Sequence, residues 1–543
     1  MRLISRAAAV ILTGLCLCSP WASHPAAAQR GGQPAPPAPA ATPFVLEEAT
    51  IATVHAAMKA GTLTCRALVA SYIQRIDAYD KTGPALTAIV VVNPNALTEA
   101  DALDARFRRS GPTGALHCVP AIVKDNYETI GLQSADGTLA LKGFVSDKDA
   151  FLVKQIRAAG AIVLAKSNMA EFAFSPLETV NSILGTTKNP YALDRVPAGS
   201  SGGTAASIAA NFGLIGLGSD TGNSIRGPSS HNSLVGIRST MGLTSRAGVI
   251  PLSYLADIAG PMTRTVEDAT AVFQAIVGED PEDPMTARSH GRAIPKYADA
   301  LKKDGLKGAR IGILHQAYER ANATVDEDIL KAFAQAQADL KAAGAEVVDE
   351  VKIELPPRAQ GAGSCRGFRY DINEYLATRG KNAPAHSIEE IMASPAVVSF
   401  PASVKQRAQS AATAPLGQGS DSDACKADSA YRAAYGAAIT KTMDDLMLDA
   451  MIYPTWSQVP QLIGSTSQQA GDNSQTFSPT SGFPALTVPM GFTRNNTLPI
   501  GMSMLGRAWS ESTLIRLAYA YEQATHHRHA PASTPALATQ GKK

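Results

Sequence analysis

AGSSGGTAASIAANF (198–212) runs from a glycine-serine turn into residues that are small on nearly every face. A helix of Ala, Ser and Ile without a charged side belongs in the middle of a molecule. Gly213 is placed to end it. Leu214 to Gly218 then reads as a short buried strand, and SDTGNSIRGP (219–228) as a polar, glycine-punctuated turn leaving it. Two serine-glycine turns are thus tied to one buried helix and one buried strand.

The same alternation extends outward. Leu116 to Val123 is mostly apolar and delivers Lys124-Asp125-Asn126 at its carboxyl end, the pattern of a buried strand. Asp149 is expected to cap a helix carrying Leu152, Val153 and Ile156, with Gly160 closing it before the apolar run Ala161 to Leu164. Ile311 to Leu314, the periodic stretch Val325 to Ala343 and the run Ala345 to Val348 repeat the rhythm. Strands alternating with helices imply an α/β fold with a mostly parallel or mixed sheet, covered by helices. From about Ala393 to Ala430 no period stands out, so a surface excursion is expected there. The Pro, Ala and Ser-rich end from about Pro531 is expected to fray.

The 543 residues are enough for three or four average domains or one large enzyme fold. Charged residues make up 18% and hydrophobic ones 45%, which argues against disorder or a coiled coil. A net charge of +2 leaves no basic field for nucleic acid or an anionic membrane. Arg2 and Arg6 lead into the apolar run Ala7 to Cys18, and Ala26-Ala27-Ala28 offers small residues for cleavage, so residues 1–28 read as a secretory signal. The run is too short for the ~20 residues that cross a bilayer. Residues 29–43 read as a Pro/Ala-rich tether, 44–530 as the folded domain and 531–543 as a flexible tail. An exported chain would carry Cys65, Cys118, Cys365 and Cys425 in an oxidising compartment, where their spacing selects no pairing and free thiols remain open.

Glycine-rich turns expose backbone N–H groups suited to an anion, either a phosphate or an oxyanion. The phosphate motifs G-x-x-x-x-G-K-[ST] and G-x-G-x-x-G are absent. Asp220-Thr221-Gly222 spells the aspartic protease tripeptide, yet the second copy that chemistry needs is missing. Gly199 to Gly203 fits G-x-S-x-G, but KNPYALDRVP (188–197) is no central strand to precede a nucleophile elbow. His231, His290, His315 and His386 are each better read as surface or packed histidines. His526-His527-Arg528-His529 is better read as an exposed polar terminus than as a metal site.

Taken together, Lys124, the turn at Ser200 and the turn at Ser224 resemble the amidase signature family, with its GGSSGG-type turn, small-residue helix and G-T-D-x-G-G-S-I-R segment. The likeness runs from about Phe44 to His529. VKDN (123–126), GAIVLAKSNM (160–169), GPMTRTV (260–266), GFPALTVP (482–489) and LPIG (498–501) resemble further family segments. The resemblance implies a Ser/cis-Ser/Lys triad without metal or cofactor: Ser224 as nucleophile, Ser200 as relay, Lys124 as base and then acid. It also implies an oxyanion hole of the N–H groups of Thr221, Gly222, Asn223 and Ser224, with Asp125, Ser201, Asp220 and Arg226 in support. Asp220 and Arg226 are expected to form a structural ion pair.

Each residue type suits its role. A serine hydroxyl needs a neighbour to take its proton. A lysine of ordinary pKa ~10.4 is neutral in only roughly one molecule in 2500 at pH 7, whereas burial that lowers it by ~3 units makes about a quarter neutral. Ser200 both donates and accepts. Three positions depart from the family: Asn223 stands where glycine is usual, Ala198 and Ser219 replace glycine and threonine. Downstream, Ile237-Arg-Ser-Thr240 replaces a Lys-Pro-Thr ending. The expected activity is cleavage of a carboxamide C–N bond in a small-molecule substrate by an exported monomer or homodimer. An esterase or urethane hydrolase on the same triad is the nearest alternative, and a catalytically silent binding protein the alternative of another class. Export disfavours a tRNA-dependent amidotransferase subunit. Substrate choice is expected to reside in about Pro357 to Pro460.

Overall fold

The small-residue stretch and the run after it form the helix Gly202–Ala209 and the strand Ile215–Asp220, every residue of both buried. They belong to a computed structural model that describes residues 44–319, 324–349, 351–358, 365–465 and 471–537. The signal, the tether and the tail beyond 537 lie outside the described residues.

Thirteen strands are described: β1 (Ile89–Val92), β2 (Pro120–Lys124), β3 (Ile162–Ser167), β4 (Val180–Asn181), β5 (Gly185–Thr186), β6 (Ile215–Asp220), β7 (Val235–Arg238), β8 (Ile258–Thr263), β9 (Arg310–Ile313), β10 (Glu346–Val348), β11 (Ala450–Pro454), β12 (Ala485–Thr493) and β13 (Leu498–Leu505). β4 and β5 form a small hairpin, and the other eleven make one sheet in the order β1-β3-β2-β6-β8-β7-β12-β13-β11-β9-β10. β2 is parallel to both β3 and β6, while the middle of the sheet is antiparallel, so the sheet is mixed. β2 and β6 pair Ala121 with Ile215 and Val123 with Leu217. Parallel pairing in that register brings Lys124 and the turn after Asp220 to the same edge of the sheet.

Strand β2 begins at Pro120, after Cys118 takes a left-handed φ of 59°. The helix after it runs Phe151–Ala158 and is closed by Gly160, yet its N-cap is Ala150 and not Asp149. The Asp149 carboxylate instead accepts the Ile130 N–H at 2.8 Å, tying down the loop beyond β2. The small-residue helix is capped at Ala210, ahead of Gly213.

Residues 393–430 are mostly exposed, as a surface excursion would be, yet partly helical. They contain the helix Ala402–Thr413 and the start of a long helix, Asp423–Asp445, whose N-cap Ser422 accepts the Cys425 N–H. The first helix buries only Val404 and Ala408, too few for a visible period. Nor does the chain fray at Pro531. Arg75, fully buried, donates to the carbonyls of Thr534 and Pro535 at 2.7 and 2.9 Å, and Ser533 donates to that of Pro190. Arg528, expected on an exposed terminus, pairs with Glu48 at 2.7 Å and is nearly buried.

Two main apolar cores result among the described residues, beside a small cluster of Cys365, Ala424 and Cys425. The larger holds the sheet and its covering helices. The smaller joins Ala135, Phe172, Phe174 and Ile250 to Ile372, Tyr375, Phe400 and Val404, so the region 365–413 packs on the loops that follow β2 and β3. Disulfides Cys65–Cys118 and Cys365–Cys425 pair all four cysteines among the described residues.

Candidate active site

Lys124 ends β2 with no exposed surface. Its Nζ donates to Ser200 Oγ at 2.7 Å and to Ser219 Oγ at 2.8 Å, and Asn126 Nδ2 donates to the same Ser219 hydroxyl at 3.0 Å. Burial lowers the lysine pKa to about 8, against the opposing pull of Asp136, Asp257 and Asp220. That depression is smaller than the ~3 units expected, because the acidic neighbours favour the ammonium. At pH 7 roughly a tenth of the side chains are neutral, far above an exposed lysine.

Ser200 is carried into contact by a turn that only glycine permits. The Gly199–Ser200 peptide is cis. A Cβ at Gly199 would stand 2.4 Å from the carbonyl oxygens of Ser175 and Glu178, and one at Gly203 only 2.2 Å from that of Asn168. Ser201 Oγ donates to the Ser219 carbonyl at 3.2 Å, holding this turn against β6.

The second turn is organised around Asp220. Its carboxylate accepts the N–H groups of Ile225 and Arg226, the Arg226 side chain at 3.1 Å and Arg238 at 3.0 Å. Burial raises its pKa, but the two guanidinium groups overcome that and hold it at about 2. The expected ion pair is therefore a triad of charges, with Arg238 the member that sequence reasoning passed over. Its signal was an arginine where Lys-Pro-Thr was anticipated. Arg238 also donates to the carbonyls of Asp220 and Ala256. Thr221 Oγ1 donates to Asp257 at 2.5 Å. Among the described residues, the N–H groups of Thr221, Gly222, Asn223 and Ser224 donate to no other protein group. Four consecutive unengaged donors on one turn are what an oxyanion hole calls for.

Ser224 is 5% exposed. Its Oγ donates to Asn223 Oδ1 at 3.3 Å, and among the described residues no hydrogen bond joins it to Ser200. The Asn223 amide reaches toward the Pro176 carbonyl at 3.5 Å. The residue that departs from the family thus holds the neighbouring serine. Asp125, beside Lys124, accepts the N–H groups of Ala135 and Gly137 at 3.3 and 3.2 Å and shapes the following loop.

The Amidase family matches residues 67–515. A crystal structure of native peptide amidase from Stenotrophomonas maltophilia superposes with a TM-score of 0.78 at 36% identity, covering 91% of this chain and 100% of that one. An amidase family protein from Bacillus anthracis gives a TM-score of 0.78 at 30% identity, covering 90% and 92%. A glutamyl-tRNA(Gln) amidotransferase subunit from Moorella thermoacetica is 34% identical over 482 residues, 85% of this chain and 94% of that relative. The chain belongs to the amidase family. It is by class a hydrolase of carboxamide C–N bonds, on the amidase-signature fold.

Proposed function

We propose that this protein hydrolyses a linear carboxamide through an acyl-enzyme at Ser224. The observation that carries the reading is Lys124 Nζ at 2.7 Å from Ser200 Oγ, on the sheet edge where the turn at Ser224 leaves four N–H groups free. On this reading the Ser224 hydroxyl leaves Asn223 and turns toward Ser200. Ser224 Oγ adds to the carbonyl carbon while its proton passes to Ser200, and the proton of Ser200 passes to neutral Lys124. The N–H groups of 221–224 stabilise the negative oxygen. On collapse, Lys124 returns the proton through Ser200 to the nitrogen as the C–N bond breaks. Water repeats the sequence on the ester. Resemblance to a peptide amidase supports a linear amide as substrate. A screen of primary amides, anilides, esters and carbamates tests this: amide turnover is expected, and turnover of esters alone overturns it.

We infer export as well, in monomeric or homodimeric form. Two disulfides suit an oxidising compartment, and the features of residues 1–28 suit a cleaved signal. Intact mass after expression in an exporting host is expected to place the mature start near Gln29. Retention of Met1 in the native host overturns this.

A further inference from the structure

Asp136 is the buried acid that the triad chemistry leaves without a task. It is 1% exposed, and neither carboxyl oxygen has a hydrogen-bond partner. An unpaired buried carboxyl costs free energy, so such a group beside a reaction centre calls for a partner that arrives from outside. Its position is tightly determined. The N–H groups on either side, of Ala135 and Gly137, are both held by Asp125, the Asp136 carbonyl accepts the Phe172 N–H at 3.0 Å, and the residue takes a left-handed φ of 52°.

The surrounding charges are Lys124, Asp125, Glu171 and Asp257. The other groups are engaged. Glu171 accepts the N–H and hydroxyl of Ser182. Asp257 accepts Thr221 Oγ1 and the N–H groups of Leu252 and Ser253. Lys124 donates to Ser200 and Ser219, and Lys166, the cation beside Asp125, donates to the carbonyls of Tyr127 and Gln133. No ion pair within 4.0 Å joins Asp136 to either lysine among the described residues. Burial first, and then the neighbouring carboxylates, push its carboxyl well above the usual range against the pull of Lys124. Asp136 thus shares its surroundings with the base and with Asp257, which holds Thr221 at the start of the second turn. Of the four acids there, Asp136 is the one with neither oxygen bonded.

We propose that Asp136 is the subsite for a cationic group of the substrate, an ammonium carried close to the scissile carboxamide. The substrate class is then an amine-bearing amide. The proposal rests on the amidase reading and deepens it. An arriving ammonium favours the ionised form of the Asp136 carboxyl and pairs with it.

The test compares kcat/KM for two isosteric amides, one with an ammonium beside the carboxamide and one with a methyl group in its place. In the wild-type protein the ammonium substrate is expected to be preferred on the order of 10- to 100-fold, the scale of one charge-assisted hydrogen bond. In D136N that ratio falls toward unity. An unchanged ratio in D136N, or no preference in the wild type, overturns the subsite while amide turnover stands. Absence of turnover on both amides overturns the amidase reading instead. Should D136N fail to fold, wild-type protein is assayed with butylammonium and 1-butanol as inhibitors. Competitive inhibition by the ammonium alone supports the subsite, and equal effects overturn it.

Discussion

Two regions of this molecule are built in opposite ways. The sheet edge that carries Lys124, Ser200 and Ser224 is dense with backbone constraints, with glycines where a Cβ would collide and three charges locked on one turn. The region 365–413 that packs over the adjoining loops rests on an apolar cluster of Phe172, Phe174, Phe400 and their neighbours, with one disulfide at Cys365–Cys425. The first arrangement fixes the atoms to which we assign bond exchange. The second holds a surface that can vary without disturbing them. Changes in the first are therefore expected to act on kcat and changes in the second on KM.

The largest effect is expected at Ser224. Ser224→Ala removes the bond-forming atom and lowers kcat on the order of 10⁴-fold or more, with loss of fluorophosphonate labelling. Ser201→Ala keeps the label on Ser224, and labelling of Ser201 instead would reverse the assignment. Next comes the base. Lys124→Ala is expected to lower kcat by roughly 10²- to 10⁴-fold, and Lys124→Arg not to restore it, since a guanidinium holds its proton. The lysine must be neutral to accept a proton, so kcat/KM is expected to rise with pH through about 8 and to fall away on the acid side. A profile flat from pH 6 to 9, or full activity in the arginine variant, removes Lys124 from that role.

Asn223 lies at the boundary of the comparison, touching Ser224 yet standing where the family pattern has glycine. Asn223→Gly frees Ser224 from its 3.3 Å contact and removes the side chain beside it. The ranking of acyl groups by kcat/KM is expected to change by about 10- to 200-fold, the worth of steric selection in a pocket. Unaltered discrimination would show that the side chain does not border the acyl group. The smallest effect is expected from Cys425→Ser. Loss of the Cys365 bridge loosens the covering region by roughly 2 to 4 kcal/mol, read as a lower Tm. A few-fold rise in KM with the labelling rate of Ser224 retained would sharpen the contrast, and a matching loss of kcat would erase it.

The proposed reaction centre could be marked out in the sequence because its requirements are local. A serine in a glycine turn, an apolar strand ending in lysine and an aspartate before the second turn each leave a mark within a few residues. Asp220–Arg226 could be anticipated in that way, the two standing close together on one turn. Arg238, Asp257 and Asp136 could not, because each meets the site only when a distant strand or loop is folded beside it. The helices of 402–445 escaped for a related reason, since the first shows the core only two apolar side chains. The end of the chain looked loose from its composition, yet backbone carbonyls at Thr534 and Pro535 anchor it to Arg75.

By itself, then, the sequence determined the α/β class, the two serine turns and the lysine at a strand end, since glycine, small residues and apolar runs constrain the backbone wherever they occur. Tertiary structure alone decided that parallel pairing of β2 with β6 brings Lys124 to Ser200, that Cys65 pairs with Cys118 and Cys365 with Cys425, and that Asp136 is left without a partner. The physical reason is distance along the chain: the paired cysteines stand 53 and 60 residues apart and the lysine 76 from its serine, and no local preference encodes which of many remote groups will share a buried volume.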